Sequence, residues 1–426
     1  MGFFFKKPAK AEESVVPQWL AYKKGGIDFG TAPVQPAPLG MRYQQNGRIW
    51  KQVSPGAAGQ ATILCAGDLM CEPNMSEAAF FDGEYNFKPC FKYVAPVLRS
   101  GDLTLANLET MVTELVPYAH TMHRIKHHTG TRYHCNAPVS YLEALRYAGF
   151  DGFAMANNHC ADAGCEGLAD TIDNVDRHGF MRTGVFKSKE ESRVLLVEVN
   201  GIRLGILSYT EHINRNLDTE ILTKEGCQVM MNRFTEEKLT RDIASARAEG
   251  AEFILCYMHV LGKEYSHEVQ PRQRKLVQQV ADLGADCIMC SHTHSIQEYE
   301  SVTAADGRHV PVVHSLGNFI TSDGTGMITR KNVIFKLVLK KADGKVTIAD
   351  ESYIPCRIVE DILRSSYKAF PTQAKYRSNR PSKLLEDAQE EISQLMGDLR
   401  LDEDDISTVA GNYMPREGDT FESKRR

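Results

Sequence analysis

His292 and His294 directly follow a short apolar run and are separated by a single residue. In an extended segment, residues two apart project to the same side, so both imidazoles can face one point in space. Imidazoles in this arrangement are typical of metal ligands. Taken alone, the pair is as compatible with a structural site as with a catalytic one.

Polar side chains follow other apolar runs in the same manner. The candidates at predicted strand ends are Asp68, Glu109, Asn158, His159, His259, His292 and His294. Each alone has an ordinary interpretation, because a carboxylate can cap a strand and a buried histidine can be hydrogen-bonded in a core. Their coincidence at five strand ends favours one shared site. Carboxylate, amide and imidazole groups without cysteine suit divalent zinc, manganese or iron with open coordination positions, which is a catalytic design.

The elements around these residues alternate between amphipathic helices and apolar strands. A helical pattern ends at a glycine in three places, at Gly149, Gly250 and Gly284. In each place an acidic residue and an apolar strand follow the glycine. This order predicts an α/β fold with largely parallel sheets covered by helices. Ligands in such folds bind beyond the carboxyl ends of the strands, where the candidate residues lie.

The chain divides into three predicted segments. Residues 1–60 are rich in proline and have little periodicity, which predicts an irregular N-terminal arm. Residues 61–356 form the ordered domain, and residues 357–426 form a C-terminal extension with one amphipathic helix. The apolar face of that helix comprises Leu385, Ala388, Ile392, Leu395 and Leu399. Packing onto the domain is favoured over packing against a partner helix, because exposed apolar faces are rare.

The composition is that of an ordinary globular protein. The 426 residues are 42% hydrophobic and 25% charged with a net charge of -5, so neither nucleic acid nor a membrane surface is expected as a partner. No run approaches the ~18 apolar residues of a membrane span. The 11 cysteines are scattered, which predicts buried free thiols, Cys160 and Cys165 included, in a reducing, cytoplasmic compartment. The sequence does not set the oligomeric state.

Six ordered motifs resemble those of the CapA family, the poly-gamma-glutamate capsule-synthesis proteins of the calcineurin-like metallophosphoesterase superfamily. The motifs are Gly67-Asp68, Asn107-Leu108-Glu109, Asn157-Asn158-His159, His259 to Tyr265, Ser291-His292-Thr293-His294 and Ser315-Leu316-Gly317-Asn318-Phe319. The resemblance covers residues 61–356. It implies a two-sheet αββα sandwich of the metallophosphoesterase type, with a metal centre between the sheet edges.

The resemblance also implies roles for the candidate residues. The implied ligands are Asp68 and His294 for a first metal, Glu109 at or near the bridging position, and Asn158, His259 and His292 for a second metal. His159 would be the general acid that protonates the leaving oxygen. Met70 stands where the wider superfamily usually has a histidine, so one or two divalent ions (manganese, zinc or iron) are expected per chain.

Two functions from different classes are compatible with these residues. The leading hypothesis is a metal-dependent hydrolase that attacks a phosphoester or similar anionic ester, small or polymeric, with metal-activated water. The alternative is a non-catalytic or accessory component of poly-gamma-glutamate or capsule biosynthesis that binds metal or polyanion. Ser315 and Asn318 either shape a turn under the site or touch substrate, and the turn is favoured. The histidine-rich segment 119–128 is expected to be a solvated loop, the alternative being that Arg124 and Lys126 meet an anionic substrate.

Overall fold

The computed structural model describes residues 41–116, 135–214, 229–260, 262–322, 326–361, 366–373 and 382–402. The strands of the first half are β1 (Tyr43–Asn46), β2 (Ile49–Gln52), β3 (Gln60–Leu69), β4 (Phe80–Phe81), β5 (Glu84–Tyr85), β6 (Leu103–Leu108), β7 (Met111–Val112), β8 (Asn136–Ala137), β9 (Gly152–Ala154), β10 (Met181–Thr183), β11 (Leu195–Val199) and β12 (Ile202–Thr210). Those of the second half are β13 (Phe253–His259), β14 (Cys287–Ser291), β15 (Ile296–Thr303), β16 (His309–Leu316), β17 (Asn318–Ile320), β18 (Lys331–Ala342), β19 (Lys345–Asp361), β20 (Ser366–Pro371) and β21 (Arg400–Leu401).

Eight α-helices lie within the described residues. They are α1 (Pro73–Ala79), α2 (Lys88–Phe91), α3 (Ala95–Leu98), α4 (Ser140–Ala148), α5 (Gly164–Arg177), α6 (Glu236–Ala248), α7 (Pro271–Asp282) and α8 (Ser382–Met396). A 3-10 turn spans Met327–Arg330. Gly149, Gly250 and Gly284 follow α4, α6 and α7 with φ of 109°, 87° and 116°, left-handed values that glycine adopts without a Cβ clash.

Two large mixed sheets form the frame of the domain. One has eight strands in the order β1-β2-β11-β12-β13-β14-β16-β15, and the other has the order β10-β9-β6-β3-β18-β19-β20, with β17 beside β3 and β21 beside β19. The pairs β12–β13, β13–β14 and β14–β16 are parallel, as are β10–β9, β9–β6 and β6–β3. Beyond these parallel strands, β15 pairs antiparallel with β16, and β18 pairs antiparallel with β3. The pairs β18–β19 and β19–β20 are antiparallel as well. The parallel part therefore holds the strands that end at the candidate site.

Alternate residues of the central strands face two different cores. Leu255 of β13 and Met289 of β14 join Ile63 of β3 in one apolar cluster between the sheets. Their neighbours Ile254 and Ile288 pack instead with residues of α6 and α7 on the outer face. This period-two alternation buries both faces of the eight-stranded sheet.

The outer face of the nine-stranded sheet is covered by aromatic packing. The Phe150 ring lies 6.2 Å from that of Phe153 on β9 and 5.7 Å from that of Phe319 on β17. Tyr141 of α4 contacts Phe87 and Phe91 at the start and end of α2. Helices thus flank both sheets, and the predicted α/β sandwich of two sheets is confirmed.

The segment before residue 61 differs from the irregular arm that the sequence predicts. Residues 1–40 lie outside the described part, but β1 and β2 form a hairpin, and β2 adds to β11 in parallel. The prediction of an irregular segment is therefore wrong for residues 43–52. These strands were missed because pairing with a distant strand leaves little pattern in the local sequence. Trp50 of β2 packs against the inter-sheet core.

The C-terminal segment is also part of the sandwich. β19 runs through the predicted border at residue 356, and β20 and β21 pair with it. Leu385, Ala388 and Ile392 of α8 are fully buried, and the last two belong to the inter-sheet core, so the expected packing of this helix onto the domain is confirmed. The division at residues 60 and 356 itself stays a prediction.

The cysteines agree only in part with the expectation of free thiols. Nine described cysteines, Cys160 among them, are free and buried. Cys165, however, is disulfide-bonded, which corrects its expected state as a thiol. Disulfide connectivity does not follow from cysteine spacing alone. The cytoplasmic location stays a prediction. Among the described residues, no helix is long and apolar enough to cross a membrane.

Candidate metal centre

A close approach of two backbones fixes the first candidate ligand. Asp68 lies near the end of β3, and its amide donates a 3.0 Å hydrogen bond to the carbonyl of Gly317. A Cβ on Gly67 would lie 1.9 Å from that carbonyl oxygen, so only glycine fits here. The motif Gly67-Asp68 is therefore a packing requirement that places a carboxylate at the strand end.

Asp68, Glu109 and His294 form a compact buried cluster. Each offers one ligand atom, and these atoms all lie within 4.8 Å of one another. Asp68 and Glu109 are fully buried, and their Oδ2 and Oε1 atoms have no hydrogen-bond partner. Buried carboxylate oxygens are normally satisfied, and an unsatisfied pair beside an imidazole is a suitable donor set for a divalent cation. The residues present therefore fit a metal.

Asn158, His259 and His292 lie beside this cluster. The Nε2 atom of His259 lies 2.9 Å from Oδ1 of Asn158 and 3.5 Å from Oε1 of Glu109. The rings of His259 and His292 are 5.0 Å apart. The structure thus brings all six sequence-predicted ligands together, while their assignment to one or two metals stays a prediction.

Both histidines of the Ser291-to-His294 turn have left-handed backbone conformations. The φ angles are 105° for His292 and 57° for His294, and both side chains are buried. Non-glycine residues in this region are strained by about 1–3 kcal/mol and cluster at functional sites. The turn aims both rings into the centre, so the extended i, i+2 geometry assumed from sequence does not hold beyond Ser291, the last residue of β14.

Burial shifts the pKa of Asp68, Glu109, His259 and His292 in the direction that favours the neutral form of each side chain. It raises the pKa of Asp68, and burial together with the charge of Asp68 raises that of Glu109 well above its usual range. Burial and the neighbouring imidazoles lower the pKa of His259 far below its usual value and that of His292 to about 2. The imidazoles are therefore neutral, as metal ligation requires.

His159 has the opposite electrostatic environment. Its Nδ1 lies 2.6 Å from Oδ2 of Asp162. Burial alone would lower the pKa of His159, but the charge of Asp162 and the Cys135 thiol outweigh it, so this pKa is well above its usual value. Asn214 Nδ2 lies 3.4 Å from the same Nδ1, and Asn214 Oδ1 accepts a hydrogen bond from Asn158. An imidazole with a raised pKa thus lies next to Asn158, one of the predicted ligands.

Several residues that contact the candidate site residues were not predicted from the sequence. Asn107, although inside a quoted motif, donates to Asp68 at 2.8 Å and to Glu109 at 3.1 Å. Asp162 could have been found from its i+3 spacing to His159. Asn318, which the sequence predicts to shape a turn, also contacts a candidate ligand, because its Oδ1 lies 3.0 Å from His294 Nδ1. Tyr265 stacks on His294 with ring centroids 5.8 Å apart.

Other sequence candidates fall elsewhere. The histidines of segment 119–128 lie outside the described residues. His314 faces Glu300 at 2.9 Å, and this carboxylate and Glu298 both pair with Arg274. Glu298, Glu300 and His314 form a second group of potential metal ligands. The Arg274 guanidinium already neutralises its carboxylates, which makes this group a poor metal site.

The fold and site define an α/β sandwich protein whose strand ends carry a candidate metal-binding group of carboxylate, amide and imidazole side chains. The family described as bacterial capsule synthesis protein PGA_cap matches residues 62–323. The chain belongs to this family, which confirms the CapA resemblance.

Two individual relatives of the chain have low sequence identity to it. The chain is 26% identical over 269 residues to "Capsule biosynthesis protein CapA" of Bacillus anthracis, covering 62% of this chain and 60% of the relative. It is 24% identical over 257 residues to "PGA biosynthesis protein CapA" of Bacillus subtilis (strain 168), covering 59% of this chain and 61% of the relative. The chain therefore matches about 60% of the length of these relatives.

Among solved structures, the chain resembles the calcineurin-like phosphoesterase YfkN from Bacillus subtilis. The TM-score is 0.42 with 15% identity, and the match covers 79% of this chain and 97% of that one. A likeness at this level says nothing about activity.

Proposed function

We propose that this chain is a metal-dependent hydrolase that attacks a phosphoester or similar anionic ester with water. The observation that supports this most is the pair of buried, unpartnered oxygens, Asp68 Oδ2 and Glu109 Oε1, beside the His294 imidazole. Two desolvated carboxylates without a cation would be costly to bury, so their arrangement favours a bound divalent ion.

The residues that would hold the metal differ in what they supply. Asp68, Glu109 and His294 form the primary set, and Asn158, His259 and His292 are the further donors. A divalent ion held there would polarise a phosphoryl oxygen and lower the pKa of a bound water toward ~7. Manganese, zinc and iron all accept this donor set.

His159 is the proposed general acid. Its raised pKa keeps the imidazole protonated at neutral pH, and Asp162 fixes the orientation of the ring. The proton would pass from the imidazolium to the leaving oxygen as the ester bond breaks. Asn214 is hydrogen-bonded to both Asn158 and Asp162. It therefore links the proposed acid to the proposed metal centre.

A panel of phosphoesters tests the proposal with the metal-loaded protein. The wild type is expected to release phosphate or alcohol from at least one class of ester. His159→Ala is expected to keep its metal but to lose roughly 10²–10⁴-fold in turnover, the usual contribution of a general acid. His178→Ala, which alters a histidine at the end of α5 bonded to a backbone carbonyl, is the matched control. Unchanged turnover in His159→Ala would contradict the assigned mechanism.

A second candidate rests on the names of the relatives, both of which are capsule or PGA biosynthesis proteins. In this case the chain would be an accessory component that binds metal or polyanion without turnover. Metal-loaded protein would then retain a polyanion such as polyglutamate yet release no product from the whole ester panel. That result would favour the accessory role over the hydrolase.

A further inference from the structure

A cleft of about 520 Å³ lies beside α6, apart from the metal centre. Its lining comes from α6, the turn between β1 and β2, and the segments 189–194 and 229–232. None of the proposed metal ligands lines it. Its volume is within the range of sites that hold small molecules, about 300–1,000 Å³.

Two cations in this cleft have no carboxylate partner among the described residues. The guanidinium of Arg193 stacks on the Phe186 ring at 4.0 Å, and its Nη1 is buried with no hydrogen-bond partner. Among the described residues, the Lys238 ammonium contacts a backbone carbonyl, that of Arg233, at 3.5 Å. Burial lowers the pKa of both groups, the charges of Arg241 and Arg193 lower that of Lys238 further, and the charge of Asp242 opposes the shift of both. The cleft thus carries two cations that form no ion pair with a carboxylate of the described residues.

The carboxylate that lines the cleft is already engaged. Asp242 accepts a 2.5 Å hydrogen bond from the Tyr209 hydroxyl and a 2.9 Å hydrogen bond from Arg241 Nε. Arg48 at the cleft's edge pairs with Glu249 at 3.0 Å. Lys189, which also lines the cleft, pairs with Glu190 at 3.7 Å. Of the lining cations, Arg193 and Lys238 are thus the two without an ion pair among the described residues.

A buried amide in the same lining is an independent observation. Asn232 is only 3% exposed, and its Nδ2 has no hydrogen-bond partner. A buried, unpartnered donor costs about 1–3 kcal/mol, so a native structure usually provides an acceptor for it. Among the described residues, Arg193 Nη1 and Asn232 Nδ2 therefore have no acceptor, and Lys238 Nζ has the Arg233 carbonyl at 3.5 Å, so three donors from separate segments line one cleft.

We propose that this cleft binds a small molecule through an oxyanion, phosphate or carboxylate, held by Arg193, Lys238 and Asn232. Arg193 offers a planar fork, Lys238 a point charge and Asn232 a neutral donor, a combination suited to an oxyanion with several acceptor oxygens. The cleft is larger than a phosphate ion, so the ligand carries a further group beside its anionic one. This site is independent of the proposed hydrolysis.

Titration calorimetry on the full-length, metal-loaded protein tests the site with two probes, inorganic phosphate and citrate. Arg193→Gln/Lys238→Gln is expected to lose a binding event for at least one probe, with affinity at least tenfold weaker, because two charge-assisted hydrogen bonds are removed. Preference for phosphate or citrate distinguishes the two oxyanions. The exposed helical Lys275→Gln is the matched control and keeps wild-type binding. Asp68→Ala keeps the cleft binding as well, whether or not the protein hydrolyses esters.

Thermal unfolding separates binding from a structural role. Without ligand, the double variant is expected to melt at or above the wild-type temperature, because repulsion between the two cations is removed. The bound probe is expected to raise the melting temperature of the wild type but not of the double variant. A double variant that binds both probes as the wild type does, or a wild type that binds neither at millimolar concentration, overturns the proposal.

Discussion

The Nδ1 atom of His159 lies 2.6 Å from Oδ2 of Asp162, and the two side chains are 12% and 2% exposed. The residues are three apart, so the contact forms within one turn of chain that follows β9. A buried carboxylate at this distance keeps the imidazole charged and limits its rotation. The raised pKa of His159 thereby contrasts with the lowered pKa values of His259 and His292.

Replacing Asp162 by Asn is expected to lower the pKa of His159, because the charge that outweighs burial is removed. A general acid works in its protonated form, so the basic limb of the pH–rate profile should move to lower pH. Turnover above neutral pH should fall by about tenfold or more, while bound metal is unchanged. The profile of kcat against pH is the measurement.

Asp173→Asn is the control for that variant, since Asp173 lies on α5 with a half-exposed side chain. Its profile should overlay that of the wild type. If Asp162→Asn also keeps the wild-type profile, Asp162 does not set the protonation of His159.

Metal binding to the apo protein is expected to release protons. Burial and the charge of Asp68 raise the pKa of Glu109 well above its usual range, so part of the apo population carries a proton there at mildly acidic pH. The metal must displace that proton, and affinity should therefore fall as pH is lowered. Calorimetric titration in buffers of different ionisation enthalpy measures the release; a binding heat that is the same in all buffers would contradict it.

Gly67→Ala is expected to disrupt the centre without altering a ligand. The new Cβ would lie 1.9 Å from the Gly317 carbonyl oxygen, so β3 and the turn before Asn318 must separate. We expect a loss of roughly 2 kcal/mol or more in the free energy of unfolding, together with weaker metal binding. Denaturant unfolding and metal analysis measure the two effects.

Gly47→Ala is the matched control, because a Cβ there meets no atom within 4 Å although φ is +62°. Only the left-handed strain of about 1 kcal/mol should remain, with normal metal content. Equal metal content in Gly67→Ala and Gly47→Ala would show that this close approach does not position Asp68.

Arg42→Met is expected to destabilise the fold by roughly 3 kcal/mol, because it leaves the buried Asp151 carboxylate without its partner. In the wild type, Arg42 Nε donates to Asp151 Oδ1 at 2.8 Å and ties the segment before β1 to β9. The double variant Arg42→Met/Asp151→Asn should recover part of this loss. Additive destabilisation in the double-mutant cycle would mean that the pair is not coupled.

The sequence predicted the elements whose signals are local. The glycines after α4, α6 and α7 marked the starts of β9, β13 and β14, and four of the six candidate ligands follow from those strands: Asn158, His259, His292 and His294. Asp68 and Glu109 followed from the apolar runs of β3 and β6. The parallel pairing of β2 with β11 joins residues that are almost 150 positions apart in the chain, and no local pattern reveals it. The role of Asn107 was equally hidden, since its contacts to Asp68 and Glu109 exist only after β3 and β6 pair.

Turnover of a reactive phosphoester during titration of manganese into apo protein tests the central claim most directly. For the wild type, the rate should rise from background and saturate with bound metal, whereas Asp68→Ala should stay at background over the same range. Metal-independent turnover in the wild type, or an equal metal response in Asp68→Ala, would contradict hydrolysis at the Asp68–Glu109–His294 centre.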